Sequence, residues 1–297
     1  MGIRVSEQSR QEARLRVLQT VTQRADKLQQ QIASGRRIER ASDDPAGATL
    51  ALRHRRDIAF EGQMRRNLEG GIAFMNATEA ALDAATDALQ RARELTVQAS
   101  SSALSTTDRN AIAKEINQIL GHLAQIANGS FGGAYIFSGY QTQTPAYDVA
   151  GDPPIAVTYQ GDNGQRIRRI SLQDEAPVNL TGPEVFGNVF DELITLRNNL
   201  NSSVPPDVIA TSLDGIDAAI DRVIAGRAEI GSRINRFELS RSQSEVNNIE
   251  LQKLRADIEE IDLADAVVKL TAQQAALEAA LAAIGRTSTM SLLAFLQ

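Results

Sequence analysis

The sequence predicts a mainly α protein: a long antiparallel helical rod or coiled coil built from both chain ends, with a small β-rich domain inserted between them. Three observations carry this: where the prolines lie, where the aromatics and glycines lie, and a 3–4 spacing of apolar residues in both arms. Of eight prolines, seven fall between Pro145 and Pro206 and the eighth is Pro45. Eight of the 12 aromatics lie between Phe131 and Phe190, and eight of the 20 glycines between Gly129 and Gly182. Proline costs about 3 kcal/mol inside a helix, so residues 46–144 and 207–297, which have none, read as helical arms. The Pro/Gly/aromatic segment reads as a compact insert where the chain folds back.

In the N-terminal arm Leu18, Val21, Ala25, Leu28 and Ile32 step by 3, 4, 3, 4, the spacing that keeps one seam facing a partner helix. Ser42-Asp43-Asp44-Pro45 is a helix start: the polar residues accept orphan amide bonds and proline suits the first helical position. No strong stop follows until Ser100-Ser101-Ser102, so this helix would extend about 80 Å, with Gly70-Gly71 a weak point. A second helix begins near Ser105–Asp108 and ends at Asn128-Gly129, with Ile112, Ile116, Ile119, Leu123 and Ile126 on one face. In the insert, 134–138, 157–160 and 166–172 read as strands. Asn163-Gly164 is expected to form a tight hairpin turn between the last two.

The C-terminal arm carries Leu254, Ile258, Ile261, Asp265, Val268, Ala272, Ala275, Ala279 and Ala282, with Asp265 interrupting the stripe. A second stripe runs beside it: Leu263, Val267, Leu270, Leu277, Leu281 and Ile284. One partner helix cannot cover both, and large uncovered apolar faces mark association surfaces. Residues 1–40 carry nine Lys/Arg against four Asp/Glu, whereas 246–297 carry four against seven. Opposite-sign ends favour pairing in a set orientation. The expected assembly surface comprises Leu18, Val21, Leu28, Ile32, Leu254, Ile258, Ile261, Val268, Leu270, Leu277, Leu281, Ile284, Leu292, Leu293 and Leu296. The expected organisation is 1–41 with 250–297 as a terminal coiled coil, poorly ordered in the monomer, 42–130 with 206–249 as a helical middle, and 131–205 as a β-rich outer domain.

Reactive chemistry has little material. There is no cysteine, which excludes disulfides, thiolate metal sites and thiol nucleophiles, and the two histidines, His54 and His122, stand far apart. No catalytic, cofactor or metal residues are expected, and the protein is expected not to be an enzyme. Arg53, His54, Arg55, Arg56, Arg65 and Arg66 form the one basic cluster. Consecutive charges on a helix point in different directions, so ion pairs with Asp57 and Glu61 are expected. Gly161–Gly164 lacks the following Lys-Ser/Thr of a phosphate loop. The net charge of −6 argues against nucleic acid. No apolar run long enough to span a membrane is expected, and the N-terminus lacks the apolar core of a secretory signal.

Several segments resemble the bacterial flagellin superfamily. Gln31-Ile32-Ala33-Ser34-Gly35-Arg36-Arg37-Ile38 followed by Ser42-Asp43-Asp44-Pro45-Ala46-Gly47-Ala48 resembles its N-terminal signature. Arg91–Ala99 resembles its second stretch, and Ile230–Arg236 and Ile261–Ala266 its C-terminal ones. Gly132–Gly139 with Thr144-Pro145, Tyr159–Gly164 and the ending Ser291–Leu296 resemble the hook-associated protein 3 (hook–filament junction) branch more than filament flagellin. Met1-Gly2-Ile3-Arg4 and Gln297 depart from the pattern. The resemblance implies a structural axial part of the flagellum, exported through the flagellar type III channel. It implies a ring of subunits joining hook-associated protein 1 to flagellin, with an export chaperone on the C-terminal helix. It also implies no cofactor, nucleic acid or membrane partner. The alternative it leaves is a filament flagellin.

Overall fold

The computed structural model describes residues 5–101, 104–171, 173–202 and 204–295. Long helices arise from both chain ends, and a small set of short antiparallel strands lies between them. The order is α1 (Val5–Ser34), α2 (Pro45–Ala99), α3 (Thr106–Ala127), β1 (Ser130–Phe131), β2 (Ala134–Tyr135), β3 (Tyr147–Ala150), β4 (Ala156–Tyr159), β5 (Ile167–Arg169) and β6 (Glu175–Pro177). There follow α4 (Gly182–Phe186), α5 (Val189–Asn201), α6 (Pro206–Ala210), α7 (Ser212–Glu259) and α8 (Leu263–Phe295). The chain divides into two compact units. One runs through Phe60 and resumes at Asn247; the other is Glu61–Val246.

In the second unit α2 buries a strict 3–4 stripe: Leu68, Gly71, Met75, Thr78, Leu82, Ala85, Leu89, Ala92, Thr96 and Ala99. The buried Thr78 and Thr96 hydroxyls donate to the carbonyls of Phe74 (3.0 Å) and Ala92 (2.7 Å), so the polar positions bring no orphan donor. At Gly71 α7 leaves no room for a side chain, since a Cβ there would lie 2.6 Å from the Phe237 ring. The helix therefore runs through Gly70-Gly71 unbroken. Arg93 donates to Asp217 at 2.6 Å, and Arg227 pairs with Glu79 at 2.9 Å and Asp83 at 2.8 Å, so α2 and α7 are antiparallel here. These pairs are half-exposed and set register more than they add stability. The start of α3 is a capping box between Ser105 and Asp108, and Ile112, Ile116, Ile119 and Leu123 are buried.

Among the described residues the insert contains three two-stranded antiparallel hairpins, β1–β2, β3–β4 and β5–β6. This differs from the sequence expectation in three ways. The strand at Ala134 covers only Ala134–Tyr135, and β4 pairs back with β3 rather than forward across Gly161–Gly164. Residues 189–201 form a helix, α5, that packs against α3. The pattern Val189, Phe190, Leu193, Leu196, Leu200 carries the helical signal, which the surrounding prolines and glycines mask.

Gly161–Gly164 is not a hairpin turn because Asp162 is committed elsewhere. Its carboxylate accepts from the amides of Tyr140 and Gly164, each at 2.8 Å. The Tyr159 hydroxyl lies 2.7 Å from the Asp162 carbonyl and 3.0 Å from that of Phe137. The Tyr140 hydroxyl donates to the Gln165 carbonyl. Two glycine-rich segments are thereby locked together over a cluster of Phe137, Tyr147, Tyr159, Phe186 and Phe190, with neighbouring ring centroids as close as 4.9 Å. Gly139 sits at φ +67°, and a Cβ there would meet the Asp162 carbonyl oxygen at 2.3 Å.

The chain has no tryptophan, and all four tyrosines lie in the insert, so tyrosine fluorescence reports on this lock alone. Gly139→Ala is expected to destabilise the insert by about 1–3 kcal/mol. The tyrosine-detected denaturation midpoint should fall. An unchanged midpoint would mean that the interlock of the two loops contributes nothing.

Candidate functional site

The candidate site lies in the first unit, where residues from the two ends of the chain meet. Asp44 caps α2: its Oδ1 accepts from the Gly47 amide at 2.8 Å. Gly47 is required at this point, because a Cβ would lie 2.4 Å from the Asp44 carboxylate and 2.7 Å from buried Ile38. Asp43 closes the loop before it, accepting from the amides of Glu39 and Arg40 and from Lys27 Nζ at 2.8 Å. The bond from Lys27, then the backbone amides, hold the Asp43 carboxyl down at about 2. The Gly47 amide, and after it Arg37, lowers Asp44.

Arg37 joins this loop to the other end of the chain. Its backbone amide donates to the Glu259 carbonyl at 2.7 Å, and the Ile261 amide donates to the Gly35 carbonyl at 3.1 Å. Arg36 and Glu260 thus form an isolated antiparallel bridge. The Arg37 guanidinium donates to the Ile258 carbonyl at 2.8 Å and pairs with Asp44 at 3.3 Å. Its carbonyl accepts from the Gln31 side chain. Glu259, only 6% exposed, pairs with Arg55 at 2.7 Å. The expected pairing of Arg56 with Asp57 is present, whereas Glu61 instead accepts a hydrogen bond from Ser244.

Beyond this meeting point α1 and α8 pack together. On α1, Leu18, Val21, Leu28 and Ile32 are half-buried and Ala25 is buried. On α8 the inward positions are Ala266, Leu270, Gln273, Leu277, Ala280 and Ile284. Residues 13–18 lie against 280–284, which makes the pair antiparallel. The C-terminal stripe expected from sequence, interrupted only at Asp265 and carried on one helix, is corrected here. The helix stops at Glu259 and restarts at Leu263, where Asp262 Oδ1 accepts from the amides of Ala264 and Asp265. Past the break Val268 is 66% exposed and Ala272, Ala275, Ala279 and Ala282 all face outward. The second stripe divides: Leu270, Leu277 and Ile284 turn inward, while Leu263, Val267 and Leu281 face out.

Leu254 is exposed, and Ile258 and Ile261 are half-buried beside the break. Leu292 and Leu293 belong to α8, but their side chains, like all of Leu296, lie outside the described residues. A further correction concerns apolar length. Leu263–Ile284, 22 residues at mean hydropathy 1.2, is long and apolar enough by composition to cross a membrane. Its alanines raise the average without forming a contiguous run of large side chains, and an Ala-rich helix that associates with other helices passes the same test. Among the described residues no three His, Asp or Glu side chains gather as a metal site.

The family model for the bacterial flagellin N-terminal helical region matches residues 5–142, and that for its C-terminal helical region matches 213–296. The chain is 27% identical over 263 residues to the flagellar filament 30.7 kDa core protein of Treponema maltophilum, covering 88% of each. Its fold is similar to that of a putative flagellar hook-associated protein from Vibrio parahaemolyticus. There the TM-score is 0.68 at 22% identity, over 73% of this chain and 100% of that one. Bacillus cereus FlgL matches with a TM-score of 0.60 at 24% identity, over 69% of this chain and 99% of that one. Paired helical ends of this kind define a structural subunit of the bacterial flagellum. The chain belongs to the bacterial flagellin family.

The lowered carboxyls give this site a pH signature. Asp43 titrates at about 2 instead of the ordinary 3.8, so its contribution to the folded loop is complete above the ordinary value and is lost as pH falls through about 2. Replacing Lys27 with Met should move the Asp43 midpoint, followed by carboxyl NMR, back up toward 3.8. A midpoint that stays near 2 would show that Lys27 does not hold the carboxylate.

Proposed function

We propose that this protein is the ring-forming adaptor that joins hook-associated protein 1 to the flagellin filament, assembling through its terminal helices. The observation that carries this reading is a likeness in fold to hook-associated and FlgL proteins that extends over nearly the whole of those chains. The segments Gly132–Gly139 and Tyr159–Gly164, which resemble the junction branch, support it further. They are the two that Asp162, Tyr140 and Tyr159 tie together. In this reading Val268, Leu281 and the outward alanines of α8 meet neighbouring subunits. A helix with an apolar face on two sides has one for α1 and one to spare. The same exposed face would be covered by an export chaperone before assembly, and the subunit would work at the hook–filament junction outside the cell. Ordering of α1 and α8 would be completed by these partners.

A second reading, filament flagellin, is favoured by 27% identity to a flagellar filament core protein over 88% of its length and to a flagellin, FlaB1 of Treponema pallidum, over 91% of its length. The two differ in copy number and in what their loss does. Deletion of the gene is expected to leave hooks without filaments and to shed flagellin into the medium, as seen by negative-stain imaging and by immunoblotting of the supernatant. Hooks lacking filaments with no flagellin in the medium would point to the filament subunit itself. Normal filaments would overturn both readings.

A further inference from the structure

Two Asn-Gly pairs occur in the chain, Asn128-Gly129 and Asn163-Gly164, and the fold treats them differently. In such a pair the backbone nitrogen of the glycine can attack the asparagine side chain, because no Cβ obstructs the approach. The glycine N–H gives its proton to hydroxide, and the nitrogen forms a bond to the asparagine Cγ. The Cγ–NH2 bond then breaks and ammonia leaves, taking a proton from water. A second water opens the five-membered imide to aspartate or isoaspartate.

At Asn128 the side chain is held. Its Nδ2 donates to the Tyr147 carbonyl and its Oδ1 accepts from the Tyr147 amide, both at 2.8 Å, which fixes Cγ against β3. The Gly129 amide is occupied as well, donating to the Ile126 carbonyl at 2.9 Å. At Asn163 the side chain is exposed, and among the described residues no partner holds it. What is held there is the attacking nitrogen: the Gly164 amide donates to Asp162 Oδ1 at 2.8 Å. Taking the proton from that nitrogen would leave an amide anion facing a carboxylate, and a hydrogen bond made by the neutral form disfavours ionisation. Turning the peptide so that the nitrogen meets Cγ is opposed by packing. A Cβ at Gly164 would lie 2.1 Å from the Tyr140 ring, and the Gly164 carbonyl accepts from Asn179 Nδ2 at 2.9 Å.

We propose that Asn163 is a self-modification site of this protein and that Asp162 keeps it closed. While the carboxylate holds the Gly164 amide, conversion is slow. Once it lets go, Asn163 loses ammonia with water as the only co-reactant. Aspartate at position 163 puts a second negative charge beside Asp162, and isoaspartate adds a methylene to the main chain between Asp162 and Gly164. Either product loosens the grip of Asp162 on the Tyr140 and Gly164 amides, so the modification opens the interlock of the two glycine-rich segments and does not reverse. This holds for a junction subunit and a filament subunit alike.

Peptide mapping by mass spectrometry on the full chain, incubated at mildly alkaline pH, tests this, with enzymatic isoaspartate methylation to score that product. Asp162→Ala should convert position 163 at least about tenfold faster than the wild type, the weight of one hydrogen bond to a charged acceptor. Position 128 is the internal control, because its Asn-Gly pair is held by Tyr147 and not by Asp162, and it should keep the wild-type rate. The inference is overturned if position 163 does not accelerate in Asp162→Ala. It is equally overturned if positions 128 and 163 accelerate together, as they would on general opening of the insert. Wild-type chain converted at position 163 by prolonged incubation, and separated by ion exchange, should show a lower tyrosine-detected denaturation midpoint than unconverted chain. Equal midpoints would overturn the opening of the interlock.

Discussion

The meeting of the two chain ends in the first unit depends on Arg37, whose guanidinium reaches a carbonyl oxygen 221 residues further along the chain. Two helices leaving opposite ends of a long chain have no covalent reason to meet in register, and a narrow, half-buried aliphatic seam gives only weak preference among alternatives. Backbone hydrogen bonds between Gly35–Arg37 and Glu259–Ile261 remove that ambiguity at one end of the α1–α8 pair. From there the antiparallel match of Leu18 with the region of Ile284 follows from helix geometry. The Asp43 and Asp44 caps, the Lys27 ion pair and Gly47 all serve to shape the ten-residue loop that presents Arg37.

That dependence accounts for the chemistry of the loop. The carboxylates there are acceptors for backbone amides and cations, and their lowered titration reflects the same bonds that hold the loop shut. Glu259, buried beside Arg55, extends the same network into the end of α7. A charged residue so placed is costly unless paired, so it rewards only the arrangement in which both chain ends are in place.

Much of the fold was legible in the sequence because proline, glycine and helix caps act locally. The start at Asp44-Pro45, the Ser105–Asp108 box and the stop near Ser100 needed no tertiary information. The α2 heptads are hard to read in the sequence because their alternate positions are Gly71, Thr78, Ala85, Ala92 and Ala99, small or polar residues that a hydrophobic pattern does not register but that close helix packing requires. The break at 260–262 was invisible for a different reason. Residues 35–37, far away in sequence, bond to the backbone groups exposed there, and only the Asp262 cap marks it locally. The site residues separate into inward Leu270, Leu277 and Ile284 and outward Val268 and Leu281 because the inward set from Ala266 to Ile284 follows the 3.6-residue turn, five turns in 18 residues, from which a stripe read at 3.5-residue spacing drifts away. In the insert, the Asn163-Gly164 signal is overridden because the Asp162 carboxylate takes the amides of Tyr140 and Gly164 and β4 pairs back with β3.

The central claim is that the outward face of α8 joins subunits while its inward face joins the chain's own ends. Complementation of a deletion strain with Val268→Asp/Leu281→Asp tests it most directly, with exchange measured on the purified variant. The account predicts an intact α1–α8 pair, since both positions face away from α1, together with export but no attached filaments. Filaments of normal number and length from this variant would contradict it.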